Sequence, residues 1–126
     1  MPSGSRRRVL IADNNDDLAQ ILGEFIRMEA TLDYLGHVHT GSAAIARCCS
    51  ETVDVLVLDL GLEDQHGFHV LEQLRRKGLS TKVIIHTGHS SPELAHAAGE
   101  RGAAGFVVKS GDPAPLIFAI CGLAET

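Results

Sequence analysis

The 126-residue chain has no tryptophan, one tyrosine, four prolines and three cysteines. The odd number of cysteines, two of them adjacent at Cys48 and Cys49, does not suit a disulfide framework, so we expect reduced thiols. No stretch approaches the ~20 consecutive apolar residues of a membrane-spanning helix. The arginines at 6–8 are followed by a short strand-like run and not by a hydrophobic signal segment. These absences favour a cytoplasmic location without membrane association.

The composition is that of one globular domain. Hydrophobic residues make up 44% of the chain and charged residues 21%, which is too apolar for a disordered chain. The net charge of −5 argues against a nucleic-acid-binding surface across the domain. Nucleic acid is therefore expected as a partner only if a longer parent protein carries a separate output domain. We expect residues 1–7 to form a flexible amino-terminal arm and residues 8–126 to form a single domain.

Short apolar runs alternate with amphipathic segments along the chain. A continuous run of Val, Ile and Leu is typical of a strand that is covered on both faces. Four such runs are Val9–Ala12, Val53–Leu60, Val83–His86 and Gly105–Val108, and a second strand in chain order is placed within Leu32–Val38. Helices are predicted to begin near Asp16, Ser42, Phe68, Pro92 and Pro113. This alternation predicts an α/β domain with a parallel sheet and helices on both faces.

Four polar residues follow strands of this predicted sheet. Asp13, Asp59, Thr87 and Lys109 stand at or just after the carboxyl ends of strands one, three, four and five. Ligands of open parallel sheets bind beyond those ends, so the four side chains should converge at one edge. Two carboxylates, a hydroxyl and an ammonium suit a phosphoryl group together with a divalent cation.

Together these segments resemble the response-regulator receiver domain, the phospho-accepting module of two-component signalling. The resemblance extends from about Arg8 to Leu123 and implies a doubly wound, flavodoxin-like fold, as in the chemotaxis regulators, with strand order 2-1-3-4-5. The segments that carry it are Val9–Asp13, Val53–Asp59, His66–Gly67, Thr87–Gly88 and Gly102–Lys109.

The resemblance assigns roles to individual residues. Asp59 would be the phospho-acceptor, Thr87 would hydrogen-bond the phosphoryl group and Lys109 would pair with it. Phe106 would change rotamer with Thr87, so that these two residues form a two-state switch. Mg2+ would be the cofactor, and its implied ligands are Asp13, Asp59, the backbone carbonyl of Gly61 and, weakly, Asn14.

The resemblance also implies partners. The phosphoryl group would come from a sensor histidine kinase or a histidine phosphotransfer protein, and a downstream protein would bind the last helix–strand–helix face. Such a domain is a switch more than an enzyme. The turn at residues 109–113 is similar to regulators with a carboxyl-terminal helix-turn-helix, so the chain either works alone or is the first part of a transcription regulator.

The chain departs from the family pattern at three positions. Asn14 stands where receivers typically carry a second acid that binds the metal, so we expect weaker Mg2+ binding. Glu63 replaces a common proline, and Ser110 replaces a proline that is often cis-linked, so the bond that precedes Ser110 should be trans. Glu63, Asp64 and His89 are expected near the rim of the site.

Two other interpretations remain open. The chain could be a degenerate receiver that binds protein partners without phosphorylation, because Asn14 weakens the metal site. A small hydrolase that uses Asp59 as its nucleophile is less favoured, since the chain has no cap domain to shape a substrate pocket.

Seven histidines raise the question of another metal site. His37 and His39 alternate on the second strand, His66 and His69 are one helical turn apart, and His86 and His89 flank Thr87. None forms a zinc signature with cysteine partners, so exposed or helix-capping histidines are the favoured interpretation over a dedicated zinc site.

Overall fold

A computed structural model of the chain describes residues 6–89 and 91–124. Most of the predicted arm, residues 1–5, lies outside this part, and the first strand already begins at Arg7. The strands are β1 (Arg7–Ala12), β2 (Leu32–Val38), β3 (Val55–Leu58), β4 (Lys82–Thr87) and β5 (Gly105–Val108). The helices are α1 (Asp16–Arg27), α2 (Gly41–Ser50), α3 (Gly67–Arg76), α4 (Pro92–Glu100) and α5 (Ala114–Ala124).

The five strands form one parallel sheet in the order β2-β1-β3-β4-β5, which confirms the predicted fold. The third strand is shorter than its apolar run, because Val53 and Leu60 are buried in the loops at either end and do not extend the ladder. Strand β3 lies in the middle, and strand β1 is an inner strand that pairs with both β2 and β3.

Both faces of the sheet are covered by helices, which explains the continuous apolar strands. Val9 and Ile11 of β1 belong to a core shared with α1 and α5, whereas Leu10 and Ala12 belong to the opposite core, shared with α2, α3 and α4. Successive side chains of a strand point to opposite faces. The four residues from Val9 to Ala12 are therefore all buried, whichever face they occupy, and the strand does not need to alternate apolar with polar residues there.

Side-chain caps set where the helices begin. In each case a side-chain atom before the helix accepts a hydrogen bond from a backbone N–H of the first turn, which would otherwise lack a partner. Asn15, Thr40, His66 and Ser91 act in this way at α1, α2, α3 and α4. At the other end of α3, Gly78 adopts a φ of 71°, a left-handed conformation that favours glycine after a helix. The loops at the carboxyl edge of the sheet are thereby held in fixed positions.

Gly67 allows the loop after β3 to fold back onto Asp59. A Cβ atom at Gly67 would lie 2.9 Å from the backbone oxygen of Asp59 and 2.9 Å from the Cα of Leu60. The Gly67 N–H also donates a 3.0 Å hydrogen bond to the Leu60 carbonyl. These contacts are to backbone, which cannot move aside as a flexible side chain can. A larger residue at Gly67 would therefore displace the segment that carries Asp59.

Gly67→Ala is expected to lower the free energy of unfolding by about 1–3 kcal/mol, the usual cost of forcing an extra methyl into a packed site. Gly61→Ala in the same loop is the matched control, because a Cβ there has nothing within 4 Å. Urea unfolding monitored by circular dichroism gives both values. Equal midpoints for the two variants would contradict the argument.

Candidate functional site

The carboxyl edge of the sheet brings two acids and one lysine into contact. The Lys109 Nζ lies 2.9 Å from Asp13 Oδ2 and 3.6 Å from Asp59 Oδ1. Asp13 follows β1, Asp59 follows β3 and Lys109 follows β5, so three separate strands supply the cluster. This is the convergence that the spacing of the polar residues predicts.

Both carboxylates lie below the protein surface. Asp13 is 2% exposed and Asp59 is 9% exposed. A buried charge is costly unless it is paired, and Lys109 supplies the opposite charge. Asp13 Oδ1 also accepts a 2.9 Å hydrogen bond from the Asn15 N–H, so each of its oxygens has a partner. The cluster holds two negative charges and one positive charge and therefore keeps a net negative charge.

Asp59 and Thr87 line the same open cleft, which has a volume of about 350 Å³. The Thr87 side chain is buried, and its Oγ1 accepts a 3.3 Å hydrogen bond from the His89 N–H. The hydroxyl hydrogen can thus be donated to a group in the cleft. The Thr87 carbonyl accepts a 2.6 Å hydrogen bond from the Lys109 N–H, which ties the ends of β4 and β5 together. The other residues that line the cleft are Leu60, Gly61, His66, Gly88, His89 and Leu94.

The remaining predicted site residues occupy different surroundings. Gly61 is exposed at the cleft and forms an isolated antiparallel bridge with His66. Asn14 is also exposed, directly after the buried Asp13. Phe106 is half-buried against the core that α2, α3 and α4 share. It pairs with the residue two positions before Thr87, so the two side chains lie on the same face of the sheet.

Two of the rim residues have clear positions. His89 lines the cleft, as expected. Asp64 caps α2, because its Oδ1 accepts a 2.8 Å hydrogen bond from the Gly41 N–H and its Oδ2 accepts a 3.0 Å bond from the Ser42 N–H. These two bonds hold the pKa of the Asp64 carboxyl well below its usual range. The peptide bond between Lys109 and Ser110 is trans.

His86 is buried, contrary to the expectation that the histidines are exposed or capping. It is 5% exposed, and its Nδ1 has no hydrogen-bond partner among the described residues. Burial, together with the positive charge of Lys109, lowers the pKa of His86 to about 4, although the Asp13 and Asp59 charges oppose this shift. The imidazole is therefore neutral at pH 7. Its place in the apolar run of β4, one residue before Thr87, is the signal that could have shown the burial.

The model of one protein family matches the chain over nearly its whole length. This model, described as the response regulator receiver domain, matches residues 9–120. The chain belongs to the response-regulator receiver family. Receiver domains are modules of two-component signalling and are not typically enzymes, and they generally are phosphorylated and bind Mg2+ at acidic residues.

Known relatives of this receiver are bacterial transcriptional regulators. It is 27% identical over 120 residues to the nitrate/nitrite response regulator protein NarP of Escherichia coli K12, covering 95% of this chain and 56% of NarP. It is 30% identical over 113 residues to the uncharacterized transcriptional regulatory protein YvfU of Bacillus subtilis, covering 90% of this chain and 56% of YvfU. The receiver thus spans a little over half the length of these relatives.

Solved structures support the same fold. The signal receiver domain of a protein assigned as a Luxo repressor, from Vibrio parahaemolyticus, aligns with a TM-score of 0.89 at 30% identity. The alignment covers 95% of this chain and 91% of that one. Among the helices of the described residues, none is long and apolar enough to cross a membrane.

The buried His86 predicts a specific pH dependence of stability. Its pKa is about 4 in the folded receiver and 6.5 ordinarily, so between these values only the unfolded chain binds the proton. The free energy of unfolding should therefore fall as the pH drops from about 6.5 to about 4, by up to about 3 kcal/mol from this group. His86→Leu should show a flatter profile over this range in urea unfolding without divalent metal. Parallel profiles for wild type and variant would refute the assignment.

Proposed function

We propose that this receiver accepts a phosphoryl group on the carboxylate of Asp59. The observation that carries the proposal is the contact of Lys109 with both Asp13 and Asp59 at the edge of the cleft that Asp59 lines. The donor is a sensor histidine kinase or a histidine phosphotransfer protein, as the family resemblance implies. Such a donor suits a cytoplasmic receiver.

The transfer is a displacement at phosphorus. A carboxylate oxygen of Asp59 attacks the phosphorus of a phosphohistidine, the new O–P bond forms as the P–N bond breaks, and the imidazole nitrogen leaves with the electron pair. A phosphoryl group brings about 1.5–2 negative charges into the cleft. The Lys109 ammonium and the Thr87 hydroxyl are placed to stabilise that charge, because Lys109 already contacts Asp59 and the Thr87 side chain lines the same cleft.

The residues present fit a bound Mg2+. Oxygen atoms are the ligands that this ion prefers, and the two carboxylates keep a net negative charge after pairing with Lys109. The ligands would be Asp13, Asp59 and the Gly61 carbonyl, with a weak contribution from the Asn14 side chain. When bound, Mg2+ would neutralise phosphoryl charge. Because Asn14 is neutral, the site has one negative charge fewer than a typical receiver.

The switch would run from Thr87 to Phe106. Both side chains lie on the same face of neighbouring strands, and Phe106 is only half-buried, so it has room to change rotamer. A Thr87 hydroxyl drawn to the phosphoryl group would free space that the Phe106 ring can enter. The changed surface would be that of α4, β5 and α5, which a downstream partner would recognise. Since the relatives are transcriptional regulators, the output in a parent protein would be DNA binding.

A second candidate is a receiver that binds partners without phosphorylation. Two observations favour it. Asn14 removes an acid from the metal site, and Lys109 lies closer to Asp13, at 2.9 Å, than to Asp59, at 3.6 Å. The lysine thus already partners a carboxylate that the metal would need.

A magnesium titration with and without beryllofluoride, a phosphoryl analogue, separates these two functions. We expect the analogue to tighten Mg2+ binding in the wild type, and Asp59→Asn to abolish that effect. Asn14→Asp should tighten Mg2+ binding about tenfold, which corresponds to about 1.4 kcal/mol for the added charge. Because the chain has no tryptophan, amide chemical shifts measured by NMR are the suitable signal.

Two results would count against this account. If beryllofluoride has no effect in the wild type at saturating Mg2+, the interaction module is favoured over the phospho-acceptor. If Asn14→Asp leaves the Mg2+ affinity unchanged, the role assigned to Asn14 is wrong.

A further inference from the structure

A second group of acidic and histidine side chains lies at the β2 end of the same sheet edge. Asp16 is the first residue of α1, His37 lies near the end of β2 and His39 follows that strand. We propose that Asp16, His37 and His39 form a binding site for a divalent transition-metal ion, with Zn2+ as the best match. This site is distinct from the acidic cluster, whose residues follow β1, β3 and β5, and it does not depend on phosphorylation.

The three side chains already converge on one point. The Nε2 atoms of His37 and His39 lie 3.0 Å and 2.5 Å from the same oxygen, Asp16 Oδ1. One ligand atom from each residue lies within 4.8 Å of the other two. Ligands about 2.0–2.1 Å from a tetrahedral Zn2+ are about 3.3 Å apart, so small side-chain rotations would admit the ion. The two short contacts are hydrogen bonds from the imidazoles to the Asp16 carboxylate, and a bound ion would replace them.

The ligand types select a transition metal over Mg2+. Imidazole nitrogen suits Zn2+, Cu2+ and Ni2+, whereas Mg2+ prefers oxygen ligands only. The Asp16 carboxylate adds an oxygen ligand, which Zn2+ also accepts beside imidazole. Each imidazole must be neutral, with its hydrogen on Nδ1, before Nε2 can bind the ion. Zn2+ binding should therefore weaken as the pH falls.

A bulge in β2 places the two histidines on the α1 side of the sheet. Between the paired positions Val9–Tyr34 and Ile11–His37, β1 advances by two residues and β2 by three. The extra residue is accommodated at Gly36, whose φ of 108° is one that other residues rarely adopt. His37 thus pairs with Ile11, which faces the α1 core. His39 is two residues further on, and both rings reach Asp16 at the start of α1.

The site is open on one side. Asp16, His37 and His39 line a groove of about 600 Å³, in which 66% of the Asp16 side chain and 55% of the His39 side chain are exposed. Three protein ligands with solvent access leave a fourth position for water, or for a group of another molecule. The ion would join the first residue of α1 to the end of β2.

A Zn2+ titration of tag-free protein by competition with a chromophoric chelator tests the proposal. The titration is run in a Cys49→Ser background, because Cys49 is an exposed thiol that could bind zinc itself. We expect one tight site, with affinity reduced at least tenfold in His37→Gln, in His39→Gln and in Asp16→Asn. His96→Gln is the matched control, since His96 pairs with Glu100 on the surface of α4 and should leave the affinity unchanged.

NMR of the histidine ring nitrogens gives an independent readout. Zn2+ should shift the Nε2 resonances of His37 and His39 and leave that of His96 in place. Excess Mg2+ should not reverse the shift, and the His37→Gln/His39→Gln double variant should still bind Mg2+ with beryllofluoride if the proposed function is correct. Unchanged Zn2+ affinity in a folded double variant, or displacement of Zn2+ by Mg2+, would overturn the proposal.

Discussion

The ammonium of Lys109 between two buried carboxylates is the interaction on which the site depends. Strand β5 is separated from β3 by β4, so the Lys109 side chain must cross the end of β4 to reach Asp59 and Asp13. The backbone bond from Lys109 to the Thr87 carbonyl holds it in that position. The same positive charge contributes to the low pKa of His86, which lies on β4 beneath this crossing. A structural requirement, the neutralisation of buried acids, thus places a cation where a phosphoryl group would need one.

Much of the fold could be predicted from hydrophobic patterning, because strands covered on both faces leave an uninterrupted apolar signal. Hydrophobic patterning predicts a third strand that is longer than β3, because the buried loop residues Val53 and Leu60 are as apolar as strand residues. The polar residues at strand ends were equally visible, because parallel strands deliver their carboxyl ends to one edge. Their roles came from the family resemblance and not from spacing.

Other features could not be predicted, because they depend on contacts between distant residues. Asp64 caps α2 across 23 positions of sequence, and nothing near Asp64 marks it as a cap. His37 and His39 face Asp16 because of the bulge at Gly36, and a single glycine in a sequence does not predict a bulge. The sheet edge therefore carries two differently built polar clusters, one of oxygen ligands with a lysine and one of two imidazoles with a carboxylate. The segment between β1 and α1 connects the two clusters. Asn14 in this segment borders the first cluster, and Asp16, the first residue of α1, belongs to the second.

The central claim is that the Asp59 carboxylate is the group that accepts phosphate. Intact-mass analysis after incubation with Mg2+ and acetyl phosphate, followed by peptide mapping, tests it most directly. The account predicts the addition of one phosphoryl group, located at Asp59, that requires Mg2+ and is absent in Asp59→Asn. Phosphate on another residue, or no mass increase in folded wild-type protein with saturating Mg2+, would contradict it.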